Sequence, residues 1–230
     1  MFIDYLREIW SDIDQPFLQV PNGKDLMFKE IDDVCIHGID KIKKGDVVSL
    51  IGDFDAESIA TLLNLLARGA VVVPLTNETS AQHDYFIQES HSQYIFEKNN
   101  LVNVVSEPQQ DHRLLGLLRS KGHPGLILFT TGTTGRPKAI LHDFIPFISR
   151  YKTPRPPLKA ISFLLFDHIG GINTLLHMLF NLGQIVSIKE RTVESVAQTI
   201  KDYSVELLPT TPTFLRMLSL YPGIEEKLGY

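Results

Sequence analysis

From Asp46 onward the chain alternates short, nearly unbroken apolar runs with stretches of helical spacing, and this alternation restricts the fold more than any other feature. VVSLIG (47–52) and AVVVPL (70–75) are rich in β-branched residues and leave neither face polar, which predicts strands covered on both sides. Between them, Glu57 to Leu66 carries apolar residues at helical spacing and stops at Arg68-Gly69. Ser80, as a cap, is expected to open a further helix toward Glu89. Strand-like YIF (94–96), LVNVV (101–105) and LILF (126–129) follow.

The second half repeats the grammar. ISFLLF (161–166), QIVSI (184–188) and VELLP (205–209) read as strands, and Ile172–Leu182, Thr192–Tyr203 and Thr213–Leu220 as helices. Parallel neighbours need crossover connections, so the expectation is an α/β fold: largely parallel sheets with helices on both faces. YKTPRPPLK (151–159) carries three prolines, which forbid regular structure, and reads as a surface loop or a crossing between subdomains.

The 230 residues, 43% of them hydrophobic, can build an ordinary core. Cys35 is the only cysteine, so no internal disulfide or cysteine-based metal cluster is available, and its apolar neighbours place it as a small core residue. A net charge of -5 without a concentrated basic run argues against a nucleic-acid partner. The apolar stretch LLNLLARGAVVVPL is broken by Asn64, Arg68 and Gly69, so no membrane span is expected. MFIDYLREIW lacks the uninterrupted apolar segment of a secretory leader, so a cytoplasmic setting is expected.

The strand at 126–129 runs into Thr130, Thr131, Gly132, Thr133, Thr134, Gly135, Arg136, Pro137 and Lys138. Glycines permit positive φ and close backbone approach, so that successive N–H groups can converge on an anion. Threonine hydroxyls add neutral donors and Lys138 a point charge, a combination suited to a triphosphate. The spacing Gly-x-x-x-x-Gly-Lys-Ser/Thr is absent, which excludes the kinase- or GTPase-type loop. Standing alone, the loop leaves a Thr/Gly-rich surface turn between two strands as the lesser alternative.

TTGTTGRPKA (130–139) resembles the Thr-Ser-Gly-Thr-Thr-Gly-x-Pro-Lys-Gly signature of the adenylate-forming (AMP-binding) superfamily of acyl-CoA synthetases, peptide-synthetase adenylation domains and luciferases; Thr131 and Ala139 are conservative departures. Three further segments are similar in the same order: 45–80, with its Gly-Asp-x-Val strand leading to Gly-Ala-x-x-Val-Pro-Leu; FDHIGGINTLLHMLFNLGQIV (166–186); and ELLPTTPTFLRML (206–218). DLMFKEIDDV (25–34) is a looser match. The resemblance implies the first part of a large N-terminal domain with an αβαβα layering, its first sheet subdomain at about 1–150 and its second beginning at about 160–230.

It also implies chemistry. Such enzymes join a carboxylic acid to ATP with Mg²⁺, release pyrophosphate, and pass the acyl group from acyl-AMP to a thiol of CoA or of carrier-protein phosphopantetheine. On that basis the Thr and Gly residues at 130–135 cradle phosphate and Lys138 stabilises the leaving pyrophosphate. His168 then lies near the carboxylate and the thiol, in a pocket shared with Gly170, Gly171, Thr211, Pro212 and Thr213. Each has a structural alternative: Gly170 and Gly171 in helix–sheet packing, and either threonine as a helix cap. His142, Asp143, His177, Asp53 and Asp55 receive no catalytic role. No metal ligand is assigned, because the family's Tyr-Gly-x-Thr-Glu, its Thr-Gly-Asp and its lysine-bearing C-terminal domain are absent from the sequence. The expectation is therefore an N-terminal piece, inactive by itself, or a non-catalytic module; the face it leaves open favours a homodimer or a partner chain.

Overall fold

A computed structural model describes residues 2–104, 112–130, 135–151 and 153–224. The expected architecture is present: two sheets and three layers of helices. The larger sheet is ordered β5-β4-β2-β3-β6-β7, and the smaller β1-β9-β8. In chain order the strands are β1 (Leu18–Gln19), β2 (Val47–Ile51), β3 (Val71–Leu75), β4 (Tyr94–Glu97), β5 (Asn100–Asn103), β6 (Gly125–Thr130), β7 (Lys138–Asp143), β8 (Lys159–Ile161) and β9 (Gln184–Val186). The helices are α1 (Phe2–Ile9), α2 (Phe28–Asp32), α3 (Ala56–Ala67), α4 (His83–Glu89), α5 (Arg113–Lys121), α6 (Phe144–Ser149), α7 (Ile169–Phe180), α8 (Val193–Tyr203) and α9 (Pro212–Ser219).

The strand pleat distributes the apolar residues into successive layers. Val48, Leu50, Val72, Leu126 and Leu128 point toward α3 and α7, in a core that continues onto Ile185 of the smaller sheet. Val47, Val71, Val73 and Ile127 point the other way, against Phe86 of α4 and Leu115 and Leu118 of α5. Ile161 and Ile188 meet Val196, Ile200, Phe214 and Leu218 of α8 and α9. The order helix, sheet, helix, sheet, helix follows. Fully burying a Val, Leu or Ile side chain contributes roughly 1.5–3 kcal/mol, so these contacts outweigh any local preference in locating the helices.

Several helix ends are written locally. Asp55 accepts the Ser58 N–H at 2.9 Å and opens α3; Thr192 does the same for α8 with Ser195 at 3.1 Å. Gly69, at φ +83°, closes α3 in the left-handed region.

Some expected elements differ. LVNVV is not a parallel strand: β5 turns back antiparallel on β4 through Lys98 and Asn99, both at positive φ (47° and 54°). Ser80 caps nothing; residues 77–82 form a 3₁₀ segment and α4 begins at His83. ISFLLF is extended only to Ile161, because Phe163 N–H folds back onto the Ile161 carbonyl at 2.9 Å and Ser162 Oγ takes the Ile188 N–H. VELLP contributes a single bridge, Leu207 to Ala160. Cys35 is exposed, not in the core: Asn99 accepts the His37 N–H and donates to the Cys35 carbonyl, a geometry that buries Ile36 instead. No helix among the described residues is long and apolar enough to cross a membrane.

Candidate active site

A cleft opens between β3 and β6 at the carboxyl ends of the parallel strands. The two pair only at Val71–Gly125 and Val72–Leu126. Val71 N–H points to β2, donating to the Asp46 carbonyl at 2.8 Å. With a period of two, the nitrogen of Pro74 faces β6 and has no hydrogen to donate, so the ladder cannot continue. The chain leaves β3 toward β4 on one side and β6 toward β7 on the other, the arrangement that forms a ligand crevice in open α/β sheets. The cleft measures about 120 Å³ and is lined by Pro74, Leu75, Thr79, Gln82, Phe86, Phe129, Thr130, Pro137, Asp167 and His168.

The Thr/Gly segment lies in sequence between β6 and β7, which pair antiparallel with Thr130 facing Lys138. Thr131, Gly132, Thr133 and Thr134 lie outside the described residues. Gly135 has φ +119°, a conformation L side chains rarely adopt, and open space where a Cβ would stand. Helix α4 supports the hairpin: Tyr85 Oη donates to the Pro137 carbonyl at 2.9 Å, Arg136 lies 5.8 Å from the Tyr85 ring, and Phe86 stacks on Phe129 at 4.1 Å. Lys138 is exposed and lines a second cleft of about 230 Å³ with Tyr85, Glu89, His91 and His112.

His168 is the N-cap of α7, half-exposed at the cleft, and its Nδ1 lies 2.6 Å from Asp167 Oδ1. Asp167 is buried, and its Oδ2 accepts from the hydroxyls of Thr76 at 2.9 Å and Thr79 at 3.1 Å. Burial pushes the Asp167 carboxyl up, but the hydrogen bond and charge of His168 and the two threonine hydroxyls prevail and hold it below the usual carboxylate range. The same Asp167 contact raises the His168 imidazole against the effect of its own burial. An ionised carboxylate can only accept, so Nδ1 carries the proton. Sequence reasoning singled out His168 but missed Asp167, Thr76 and Thr79, since the threonines lie 91 and 88 residues from the aspartate. The available signal was their position, directly after the Val-Pro-Leu that ends β3.

The other expected site residues fall into two groups. Gly170 and Gly171 form the first turn of α7, and a Cβ on Gly171 would sit 1.9 Å from the Leu165 carbonyl oxygen. This close backbone approach draws the Asp167–His168 turn against the helix. Thr211, Pro212 and Thr213 are exposed at the start of α9 and are absent from the lining of the His168 cleft. Thr211 caps α9 by accepting the Phe214 N–H at 3.3 Å, and Pro212 occupies the first helical position. Asp143 caps α6 and takes His123 Nδ1 at 2.9 Å, while Asp55 caps α3.

Arg191, which sequence reasoning did not select, ties the two sheets together beside the cleft. Its Nε donates to the Phe163 carbonyl at 2.8 Å, Nη1 to Glu78 at 3.2 Å and Nη2 to Asp53 at 3.4 Å. Phe163 leads into the Asp167–His168 turn, and Glu78 sits beside Thr79, so one guanidinium grips both walls of the aspartate's cradle.

Comparison with known proteins gives this geometry a context. The chain is 24% identical over 197 residues to phenyloxazoline synthase MbtB of Mycobacterium sp. (strain MCS), covering 77% of this chain but only 17% of that protein. The inhibitor-bound N-terminal domain of FACL13 from Mycobacterium tuberculosis superposes with a TM-score of 0.74 at 15% identity, covering 96% of this chain and 65% of that one. The N-terminal subdomain of Klebsiella oxytoca NpsA, in complex with 3-hydroxybenzoyl-AMSN, gives 0.68 at 17% identity, covering 89% and 57%. The two structures share the fold. The family profile described as AMP-binding enzyme matches residues 37–228, from the loop before β2 through the cleft, the Asp167–His168 turn and α9, and the chain therefore belongs to that family of adenylating enzymes.

Proposed function

We propose that this chain forms the phosphate- and acyl-binding part of an ATP-dependent acid–thiol ligase, which activates a carboxylic acid as acyl-AMP and passes it to the thiol of CoA or phosphopantetheine. One observation carries the reading: a single cleft joins Thr130 and Pro137 of the Thr/Gly hairpin to the Asp167–His168 pair. Phosphate and acyl group meet at such a junction. The hairpin N–H groups and threonine hydroxyls, Thr131, Gly132, Thr133 and Thr134 among them, would hold the nucleotide's phosphates, and Lys138 would neutralise the leaving pyrophosphate. Holding the α-phosphate in line converts carboxylate attack into an intramolecular step. His168 borders the acyl group, with Gly170 and Gly171 setting the turn that presents it. ATP brings Mg²⁺ with it; the described residues hold no group of three or more His, Cys, Asp or Glu suited to a metal, so no protein ligand is assigned to the ion.

The test is carboxylate-dependent ATP–pyrophosphate exchange by the full gene product, across alkyl, aryl and amino acids. Exchange with one class is expected; none with any class overturns the reading. Lys138→Ala should lower exchange on the order of 10²-fold. Because Lys138 is exposed, the melting temperature should stay within about 2 °C. An unchanged rate removes Lys138 from the mechanism. The 230-residue chain alone, spanning 65% of the FACL13 domain, should bind ATP weakly and show no exchange.

A second reading rests on α9, whose Leu215, Met217 and neighbouring Leu220 are 55%, 51% and 78% exposed. Such a face fits a docking surface, through which a partner chain or a second copy would complete the enzyme in trans. Sedimentation of the chain at micromolar concentration, with Leu220→Glu as control, distinguishes a self-associating chain from a monomer.

A further inference from the structure

The hydrogen bonding around Asp167 points beyond a pocket-lining role for His168. We infer that His168 is the general base that takes the proton of the acceptor thiol in the second half-reaction, with Asp167 as its positioning residue. The inference rests on the acid–thiol ligase reading above.

The geometry is directional. Asp167 spends one carboxylate oxygen on His168 Nδ1 and the other on Thr76 and Thr79, so the carboxylate cannot rotate away. The imidazole is thereby held as the Nδ1–H tautomer, which leaves the lone pair on Nε2, and His168 lines the cleft. A base held by a third group in this way is the arrangement that activates weak nucleophiles on many folds. Asp167 and His168 are the titratable side chains among the described residues lining the cleft. Nearby, His83 donates Nε2–H to the Thr76 carbonyl, and Glu78 and Asp53 are held by Arg191.

The chemistry selects the step. A carboxylic acid, with a pKa near 4, is already ionised at neutral pH and needs no base to attack ATP. An alkyl thiol, with a pKa of about 8.5, is almost wholly protonated. A base in this cleft therefore has work only when the thiol arrives. His168 Nε2 accepts the S–H proton, the sulfur pair attacks the acyl carbonyl carbon, and a C–S bond forms. The carbonyl carbon's bond to the AMP phosphate oxygen breaks, AMP leaves with that electron pair, and the imidazolium returns its proton to water. The raised affinity of His168 for a proton makes it a stronger base than a free imidazole.

The test separates the half-reactions in the full gene product: ATP–pyrophosphate exchange for the first, and single-turnover transfer from enzyme-bound acyl-AMP to pantetheine for the second. In His168→Gln and Asp167→Asn, transfer should fall on the order of 10²-fold, at least about tenfold more than either variant loses in exchange. Parent transfer should rise with pH and level off above the His168 pKa. Asp167→Asn should shift that midpoint downward, and His168→Gln should rise about tenfold per pH unit until the thiol itself ionises. Equal loss in both half-reactions, or no loss in transfer, overturns the inference. Nitrogen-15 NMR of His168 in the chain needs no turnover: the Nδ1–H tautomer is expected, and Nε2–H would overturn the dyad. Failure of the unmodified protein to form any acyl-AMP would sink the ligase reading and the acceptor step with it, and leaves the tautomer result standing as a separate measurement.

Discussion

At the scale of single residues, Asp167 shows how a buried carboxylate is kept charged. Burial alone would favour its neutral form, yet three donors, the adjacent His168 and Thr76 and Thr79 from one distant segment, hold it below its ordinary 3.8. His168 is held above its ordinary 6.5 by the same contact. A carboxylate with a lowered native pKa adds stability that is whole above its unfolded value and is lost as pH falls through the native one. A histidine with a raised native pKa adds stability that is whole below its unfolded value and is lost as pH rises through the native one. The pair's contribution is therefore fullest between about pH 3.8 and 6.5 and declines on both sides. Urea unfolding from pH 3 to 8, with Asp167→Asn subtracted, should give that plateau; a difference independent of pH would mean the two do not titrate as a pair. His168 is 47% exposed, so solvent screens its share and the alkaline arm should be the shallower.

At the scale of elements, two helical glycines are held for opposite reasons. Gly171, in the first turn of α7, has the Leu165 carbonyl oxygen where a Cβ would go, at 1.9 Å. Gly171→Ala must push the Asp167–His168 turn off the helix and is expected to cost about 1–3 kcal/mol. Gly116, within α5, has nothing within 4 Å of that position. Gly116→Ala should stabilise the chain by about 0.5–1 kcal/mol, because alanine loses less backbone entropy in a helix. Denaturant midpoints of the two variants check both signs, and a destabilised Gly116→Ala would show that α5 is not helical through that position in solution. The β6–β7 hairpin is the complementary case. Its length is local, but its position depends on α4, through the Tyr85 hydroxyl on the Pro137 carbonyl and the Phe86–Phe129 stack.

At the scale of the whole molecule, two sheets share one core and are braced by Arg191. Its partners lie 138 residues away at Asp53, 113 away at Glu78 and 28 away at Phe163. Burial raises the Asp53 carboxyl and the guanidinium opposes it. Arg191→Met keeps the aliphatic stem and removes every donor; a loss of about 1–2 kcal/mol is expected, discounted for the exposure of Asp53 and Glu78. A double-mutant cycle with Asp53→Asn should return a coupling of about 0.5–1 kcal/mol that shrinks with added salt. No coupling would mean that the brace is a backbone tie through Phe163 alone.

Local pattern determined much of this protein. Apolar runs without a polar face read as strands covered on both sides, so β2, β3 and β6 were legible, as were α3, with its Gly69 stop, and α8. The Thr/Gly composition of the hairpin, and the family resemblance it carries, were equally plain. Tertiary structure alone decided the strand order, the antiparallel edges β5 and β7, and the recruitment of Leu18–Gln19 into the smaller sheet. It also decided that Pro74 ends a ladder where the cleft begins, that Thr76 and Thr79 close on Asp167, and that Arg191 spans both sheets. The physical reason is one of range. Periodicity and capping report how each residue meets its own neighbours and the solvent. Which strands lie side by side is set by the packing of the whole core, and with it which polar groups meet at their carboxyl ends.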